Sequence, residues 1–334
     1  MACRTAYRDR RDGERAGSGG DRYHRIVEAD GATDTARGAS EATRRWRAVH
    51  DELSRRPAES LTGAELDQLA DALFWLDRLD DSIDARQAAY RRHIDAGEET
   101  AGALTAWRIF YEHFLVGEDA VAAGWLERCR AHIGGDDDDS PPAAWLHIAL
   151  SDVAARQGDA ADALAQADAA TAIAREQADP NLLAMALQAG GRARIQCGQR
   201  PEGVRLLDEA MVGVTNGELD PLFTGWVYCN VVSTCFQLAD LARADQWSRA
   251  AMRWCSGLEE GRMYPGLCRV YHVELACLRG AWPVAEAQAR RACAELMAFD
   301  PRYAGEAYYL LGELCRLRGD LDAADEAYAR ANEL

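Results

Sequence analysis

Residues 302–332 read RYAGEAYYLLGELCRLRGDLDAADEAYARAN, two helix-forming runs on either side of Gly319-Asp320. Leu, Ala, Glu and Arg dominate both runs, and these residues lose little side-chain freedom in a helix. The spacing predicts one helix over 302–318 and a second over 321–332. Glycine suits the positive φ that a chain needs to leave one helix and reverse into the next. Ala324 and Ala331 lie five and twelve residues beyond Gly319. Seven residues apart, they share a helix face, where small side chains let a neighbouring helix come close.

The same punctuation recurs upstream, at Asp77, Gly117, Gly158, Gly198, Ala239, Gly280 and Gly319. Successive spacings are 40, 41, 40, 41, 41 and 39 residues. Five residues past each marker stand Ser82, Ala122, Ala163, Gly203, Ala244, Ala285 and Ala324. Twelve past stand Ala89, Cys129, Ala170, Ala210, Ala251, Ala292 and Ala331. Every one is small. Helix starts are also signalled: Ser140-Pro141, Asp179-Pro180, Asp220-Pro221 and Asp300-Pro301 each put a capping side chain before a proline, which the first helical turn tolerates. Thr62-Gly63-Ala64-Glu65 fits a capping box and opens the first full unit. A fixed period of this length is the signature of a repeat array. The expectation is an all-α solenoid of about seven helix pairs over residues 43–334, with Arg44–Arg55 as a lone covering helix. Residues 1–42, which include Gly17-Ser18-Gly19-Gly20, are expected to be disordered. A basic arm touching nucleic acid is the second reading of that segment.

The last unit resembles the tetratricopeptide repeat at Tyr308, Leu311-Gly312, Gly319-Asp320, Ala324, Tyr328 and Ala331. The usual period of that repeat is shorter, about 34 residues. A second resemblance covers nearly everything after residue 60. The stretches 207–212 and 217–219, Val227-Tyr228-Cys229, Arg253-Trp254-Cys255, residues 279–283 and residues 307–319 are similar to segments of large actinobacterial LuxR-type transcription regulators. In that family a tetratricopeptide-like region precedes a C-terminal helix-turn-helix. No such helix-turn-helix is found here, so the resemblance implies the regulatory part alone, and DNA binding is not assigned to the chain. The helix over 321–332 has no capping helix after it. The chain is therefore expected either to be a fragment of a longer regulator or to dock this end, with self-association as one route.

Composition narrows the function. The chain has 334 residues, a net charge of −17 and 48% hydrophobic residues. Through Arg47 there are 11 arginines against 8 acids, and beyond it 27 against 47. An acidic folded part argues against direct nucleic-acid binding. No apolar run long enough to span a membrane occurs, and no export signal opens the chain. The ten cysteines have no zinc spacing and read as small buried residues in a reducing cytoplasm. No phosphate loop, dinucleotide fingerprint, zinc-protease motif or nucleophile elbow appears. The seven histidines are dispersed. Asp136-Asp137-Asp138-Asp139 sits between glycines and prolines and reads as a solvated linker. No catalytic residue, metal site or cofactor is assigned, and the chain is expected not to be an enzyme.

Tetratricopeptide stacks expose the first helix of each pair along a concave face. By that analogy, positions six before each marker point inward: Asp71, Tyr111, Asp152, Arg192, Ser233, Glu274 and Glu313. Positions thirteen before add Trp145, Met185, Trp226 and Glu306. This mainly acidic line with apolar anchors would prefer a basic or mixed-charge peptide. The first expectation is a protein or peptide partner in the concave groove of an interaction scaffold. The alternative is a small-molecule sensor using the same groove.

Overall fold

The computed structural model describes residues 20–135, 138–258 and 263–334. Asp136 and Asp137 of the acidic run lie outside them. Fifteen α-helices and two short 3-10 turns account for the regular structure of the described residues. A long first helix, α1 (Gly20–Leu53), precedes seven pairs. The pairs are α2 (Gly63–Trp75) with α3 (Leu79–Asp95), α4 (Glu99–Leu115) with α5 (Asp119–Ala131), and α6 (Pro141–Gln157) with α7 (Ala160–Glu176). They continue with α8 (Pro180–Gln196) and α9 (Arg200–Thr215), α10 (Pro221–Gln237) and α11 (Leu241–Cys255), and α12 (Met263–Leu278) and α13 (Trp282–Phe299). The last pair is α14 (Gly305–Arg318) with α15 (Leu321–Glu333).

One turn chemistry joins the two helices of every pair. All seven markers have positive φ, from 53° at Ala239 to 84° at Gly319. The residue after each marker donates its N–H to the carbonyl five residues back, as Glu118 does to His113 at 3.0 Å and Asp320 to Cys315 at 3.0 Å. These bonds satisfy carbonyls that the end of a helix leaves unpaired. Asp159, Asp240 and Asp320 then cap the next helix, accepting from the N–H of Asp162, Arg243 and Ala323. At Gly158-Asp159 and Gly319-Asp320, glycine thus closes one helix while aspartate opens the next.

Ala239 holds the left-handed conformation without glycine's freedom, at a cost of about 1–2 kcal/mol. Ala239→Gly removes that clash and adds some unfolded-state entropy. The variant is expected to gain about 0.5–1 kcal/mol, read as a higher urea midpoint by far-ultraviolet circular dichroism. A lower midpoint would mean that this turn is unstrained.

The small residues sit where the pairs nest. Ser82, Ala122, Ala163, Ala244, Ala285 and Ala324 are each at most 2% exposed, and Gly203 is buried. Ala89, Cys129, Ala170, Ala210, Ala251 and Ala292 are buried as well, while Ala331 in the final helix is half-buried. At α8 and α9 the backbones touch. A Cβ on Gly203 would stand 2.6 Å from the carbonyl oxygen of Gly191.

The helix starts follow the sequence signals in part. Thr62 and Glu65 form the expected capping box, and Asp179 accepts from the N–H of Asn181 and Leu182. Ser140 and Asp220 stand at the expected starts but make no side-chain cap. Asp300-Pro301 opens a 3-10 turn over Pro301–Tyr303, and α14 begins only at Gly305. The expected boundary at residue 42/43 also falls inside a helix. α1 begins at Gly20, and Ala39 and Ala42 are 1% and 7% exposed. These two alanines belong to the core because α1 packs on α2 and α11.

The stack curls until distant pairs meet. The Tyr303 hydroxyl donates to the Leu115 carbonyl at 3.1 Å, across 188 residues of chain. Trp75 of α2 lies against Trp254 of α11 and Tyr264 of α12, with ring centroids 6.5 and 6.4 Å apart. The Trp75 indole N–H donates to Thr43 of α1, which ties the first helix to the same seam. No helix among the described residues is long and apolar enough to cross a membrane.

Candidate functional site

The first helix of each pair lines the inside of the curl, so its residues converge there. The aromatic side chains divide this inner face. Tyr111 packs on Trp226 at 4.7 Å and on Trp107 at 4.9 Å, and Trp107 packs on Trp145 at 4.2 Å. Phe223 stacks on Trp145 at 5.4 Å. One cleft of about 510 Å³ lies on the side of α1 and α2, and another of about 410 Å³ lies on the side of α12.

The second cleft gathers four residues of the sequence-derived line, Tyr111, Asp152, Arg192 and Trp226. The Tyr111 hydroxyl donates to Asp152, and so does the Arg192 guanidinium, through the carboxylate's other oxygen. Arg192 also reaches Asn230, at 3.5 Å. Helices α4, α6, α8 and α10 thus contribute successive rungs of one polar ladder. Burial, then the neighbouring Asp152 charge, push the Tyr111 hydroxyl well above its usual range. The phenol stays protonated and serves as a donor.

The first cleft holds two further expected positions, Trp145 and Asp71. Its back wall is a buried charge network. Arg86, 2% exposed, donates to Asp71 at 2.5 Å and to Glu112 at 2.6 Å. The same Asp71 oxygen accepts from Arg108 at 2.9 Å. Arg108 therefore shares its acid with another arginine, and burial followed by the Arg86 charge lowers its pKa. Its guanidinium carbon lies 5.9, 6.0 and 5.8 Å from the ring centres of Phe74, Trp107 and Phe223. Trp107 is 2% exposed, and its indole N–H has no acceptor among the described residues.

The remaining expected residues take no part in either cleft. Met185 is 1% exposed and belongs to the core, which corrects its placement on an open groove. Neighbouring α6 and α10 cover α8 on both sides. Ser233 is half-buried beside Tyr271. Glu313 is held by Arg316 at 2.7 Å and accepts from the Tyr328 hydroxyl. Glu274 is half-buried, and burial, then repulsion from Glu306, raise its carboxyl to about 7. Glu306 is exposed, and partial desolvation of its carboxyl raises it too. The sequence reading missed Trp107, Arg108 and Phe223. The signal that marked them was the aromatic density in the second half of α4 and early in α6 and α10, next to the paired Asp-Pro starts of α8 and α10.

Nothing among the described residues groups three or more histidine, cysteine or acidic side chains in a way that could hold a metal ion. The nine described cysteines are unpaired, and burial raises the thiol pKa of Cys129, Cys235 and Cys293 to about 12.

No protein-family model matches the chain, and no curated protein matches it in sequence. Solved structures do. The apo form of RapI superimposes with a TM-score of 0.51 at 12% identity, covering 81% of this chain and 96% of that one. A signal-transduction ATPase with a tetratricopeptide repeat sensor, PH0952 from Pyrococcus horikoshii, gives 0.49 at 15% identity, over 81% of this chain and 41% of that one. BtubC from P. vanneervenii gives 0.48 at 18% identity, over 71% of this chain and 89% of that one. Likeness at these identities concerns fold alone. The chain is an all-α repeat solenoid of the tetratricopeptide kind.

Proposed function

We propose that this chain is a non-enzymatic regulatory binding module, the tetratricopeptide-like part of a LuxR-type transcription regulator, and that it takes a compact ligand on its inner face. The ordered sequence blocks at 207–219, 227–229, 253–255, 279–283 and 307–319 support the regulator assignment. One observation favours a compact ligand over an extended peptide: the stack closes on itself. Tyr303 bonds to Leu115, and Trp75 meets Trp254. An extended peptide needs a continuous open trough, whereas this inner face is partitioned into clefts of about 510 and 410 Å³. Pockets that hold small ligands run from about 300 to 1,000 Å³.

A peptide partner is the second reading, and Glu274 with Glu306 favours it. Neither carboxylate has a cationic partner among the described residues, and they stand on consecutive first helices, α12 and α14. A basic side chain would relieve their mutual repulsion. A melting-temperature screen against metabolites and against basic peptides separates the two readings. A ligand bound only to the native state at 100 times its dissociation constant adds about 2.7 kcal/mol. Upward shifts from small molecules, kept in Glu274→Gln, are the expected result. Shifts from basic peptides alone, lost in that variant, would establish the second reading.

A further inference from the structure

Helix α1 reaches across the place where the curl closes. Its downstream end belongs to the first pair. Leu53 is buried with Leu61, Leu66 and Ala89, and Val49 packs beside them. Upstream, the same helix packs on α10 and α11, which lie on the far side of the closure. Trp75 of α2 stands between. It is 4% exposed, donates its indole N–H to the Thr43 hydroxyl at 3.2 Å, and sets its ring against Trp254 of α11 and Tyr264 of α12. One helix therefore covers both sides of the seam.

Its two grips differ in kind. Upstream of Trp46, the described side chains that α1 buries are Ala39, Ala42 and Thr43. Such small side chains remove little apolar surface from water, and stabilisation follows that area. Leucine and valine hold the downstream end, and the connection to α2 tethers it. Parts of a fold with few buried apolar contacts open at lower free energy than the whole. The upstream half is thus the part that can leave, swinging on an anchored end. Its departure takes Thr43 from the Trp75 N–H and bares the junction of Trp75 with Trp254. The first cleft straddles the same line, with Arg45, Trp46 and Val49 from α1, Trp75 from α2 and Phe223 from α10.

We infer that the upstream half of α1, residues 37–47, is a latch. Docked on α10 and α11, it keeps the ring of pairs shut. Released, it lets α2 and α11 part and opens the first cleft along one side. Tyr303 with Leu115 holds a second point of the closure, so release of α1 parts the seam without unrolling the stack. The latch acts whatever the inner face binds.

Labelling the full chain with 5-fluorotryptophan gives each of its nine tryptophans a fluorine line, and the shift of that line between H2O and D2O reads contact with solvent. Phenylalanine replacements assign the lines of Trp46, Trp75, Trp226 and Trp254. Trp46 reports on α1, and Trp75 with Trp254 reports on the seam. Trp226, 7% exposed and packed on Tyr111, reports on the rest of the inner face. Ala39→Glu places a carboxylate at a site 1% exposed and undocks α1. Arg44→Glu changes an exposed site of the same helix and leaves it docked. In Ala39→Glu the solvent isotope shifts of Trp46, Trp75 and Trp254 are expected to rise severalfold while that of Trp226 stays put. Arg44→Glu is expected to leave all four as in the wild type. A Trp46 line that moves alone shows that the seam holds without α1 and overturns the inference. No movement of any line overturns it too, because α1 then stays docked without the Ala39 contact. If all four lines move, the chain has come apart, and the milder Ala42→Gly decides, since it trims one contact and loosens the helix. On warming that variant, Trp46, Trp75 and Trp254 are expected to move together before Trp226, and simultaneous movement of all four overturns the inference.

Discussion

Glu112→Leu is expected to destabilise the fold by about 3–5 kcal/mol. Glu112 and Arg86 are each 2% exposed and lie 2.6 Å apart. The Ser82 hydroxyl lies within hydrogen-bond distance of both Glu112, at 3.0 Å, and the Ala70 carbonyl, at 2.9 Å, and shares its one proton between them. The carboxylate thus joins α4 to α3 and, through Ser82, to α2. Its removal leaves the Arg86 charge buried with only Asp71 and the more distant Asp67, and an uncompensated buried charge is what makes such losses large. Arg86→Met in the same chain takes away the stranded cation. The double variant is therefore expected to be more stable than Glu112→Leu alone, since Asp71 keeps Arg108. Urea midpoints of the wild type, both single variants and the double variant test this. A double variant that loses the sum of the two single losses would show that the pair is not coupled.

Ala285→Arg is expected to cost at least about 3 kcal/mol. Ala285 is 0% exposed and packs in the second core cluster with Val273, Ala289 and Ala292. An arginine there must force α12 and α13 apart and carry an unpaired charge into an apolar seam. Its neighbour Val284 is 51% exposed, and Val284→Arg is expected to change stability by no more than about 0.5 kcal/mol. One residue along a helix separates the two sites, so unequal midpoints report the register of α13 directly. Equal losses would overturn the assignment of Ala285 to the nesting face.

The repeat was legible in the sequence because its punctuation is a steric matter. Gly117, Gly158, Gly198, Gly280 and Gly319 hold backbone angles that other residues resist. Asp77 and Ala239 hold the same angles, and only the period identified them. Nesting positions were legible because helices that touch at Gly191 and Gly203 leave no room for larger side chains. The inner face was legible in part. Equivalent positions on successive first helices are neighbours, so Tyr111, Asp152 and Arg192 fell on one line and do meet. Closure of the curl was not legible, because it accumulates from small rotations between pairs that no single residue encodes. For that reason Arg108 was overlooked, whereas Met185 was misplaced for a nearer one, since α6 and α10 cover α8 on either side. The capping role read into Asp220 failed for a local reason: its carboxylate turns to the Asn181 amide instead.

The bond from Tyr303 to Leu115 and the packing of α1 on α11 change how such a molecule comes apart. A linear array frays, because its outermost unit has a neighbour on one side only. Tied at Tyr303, this array can peel only from α14 and α15, which lie beyond the tie. Native-state hydrogen exchange should therefore find α2 and α11 opening together, with the same dependence on denaturant. A molecule trapped behind that seam would leave no faster than the knot unties.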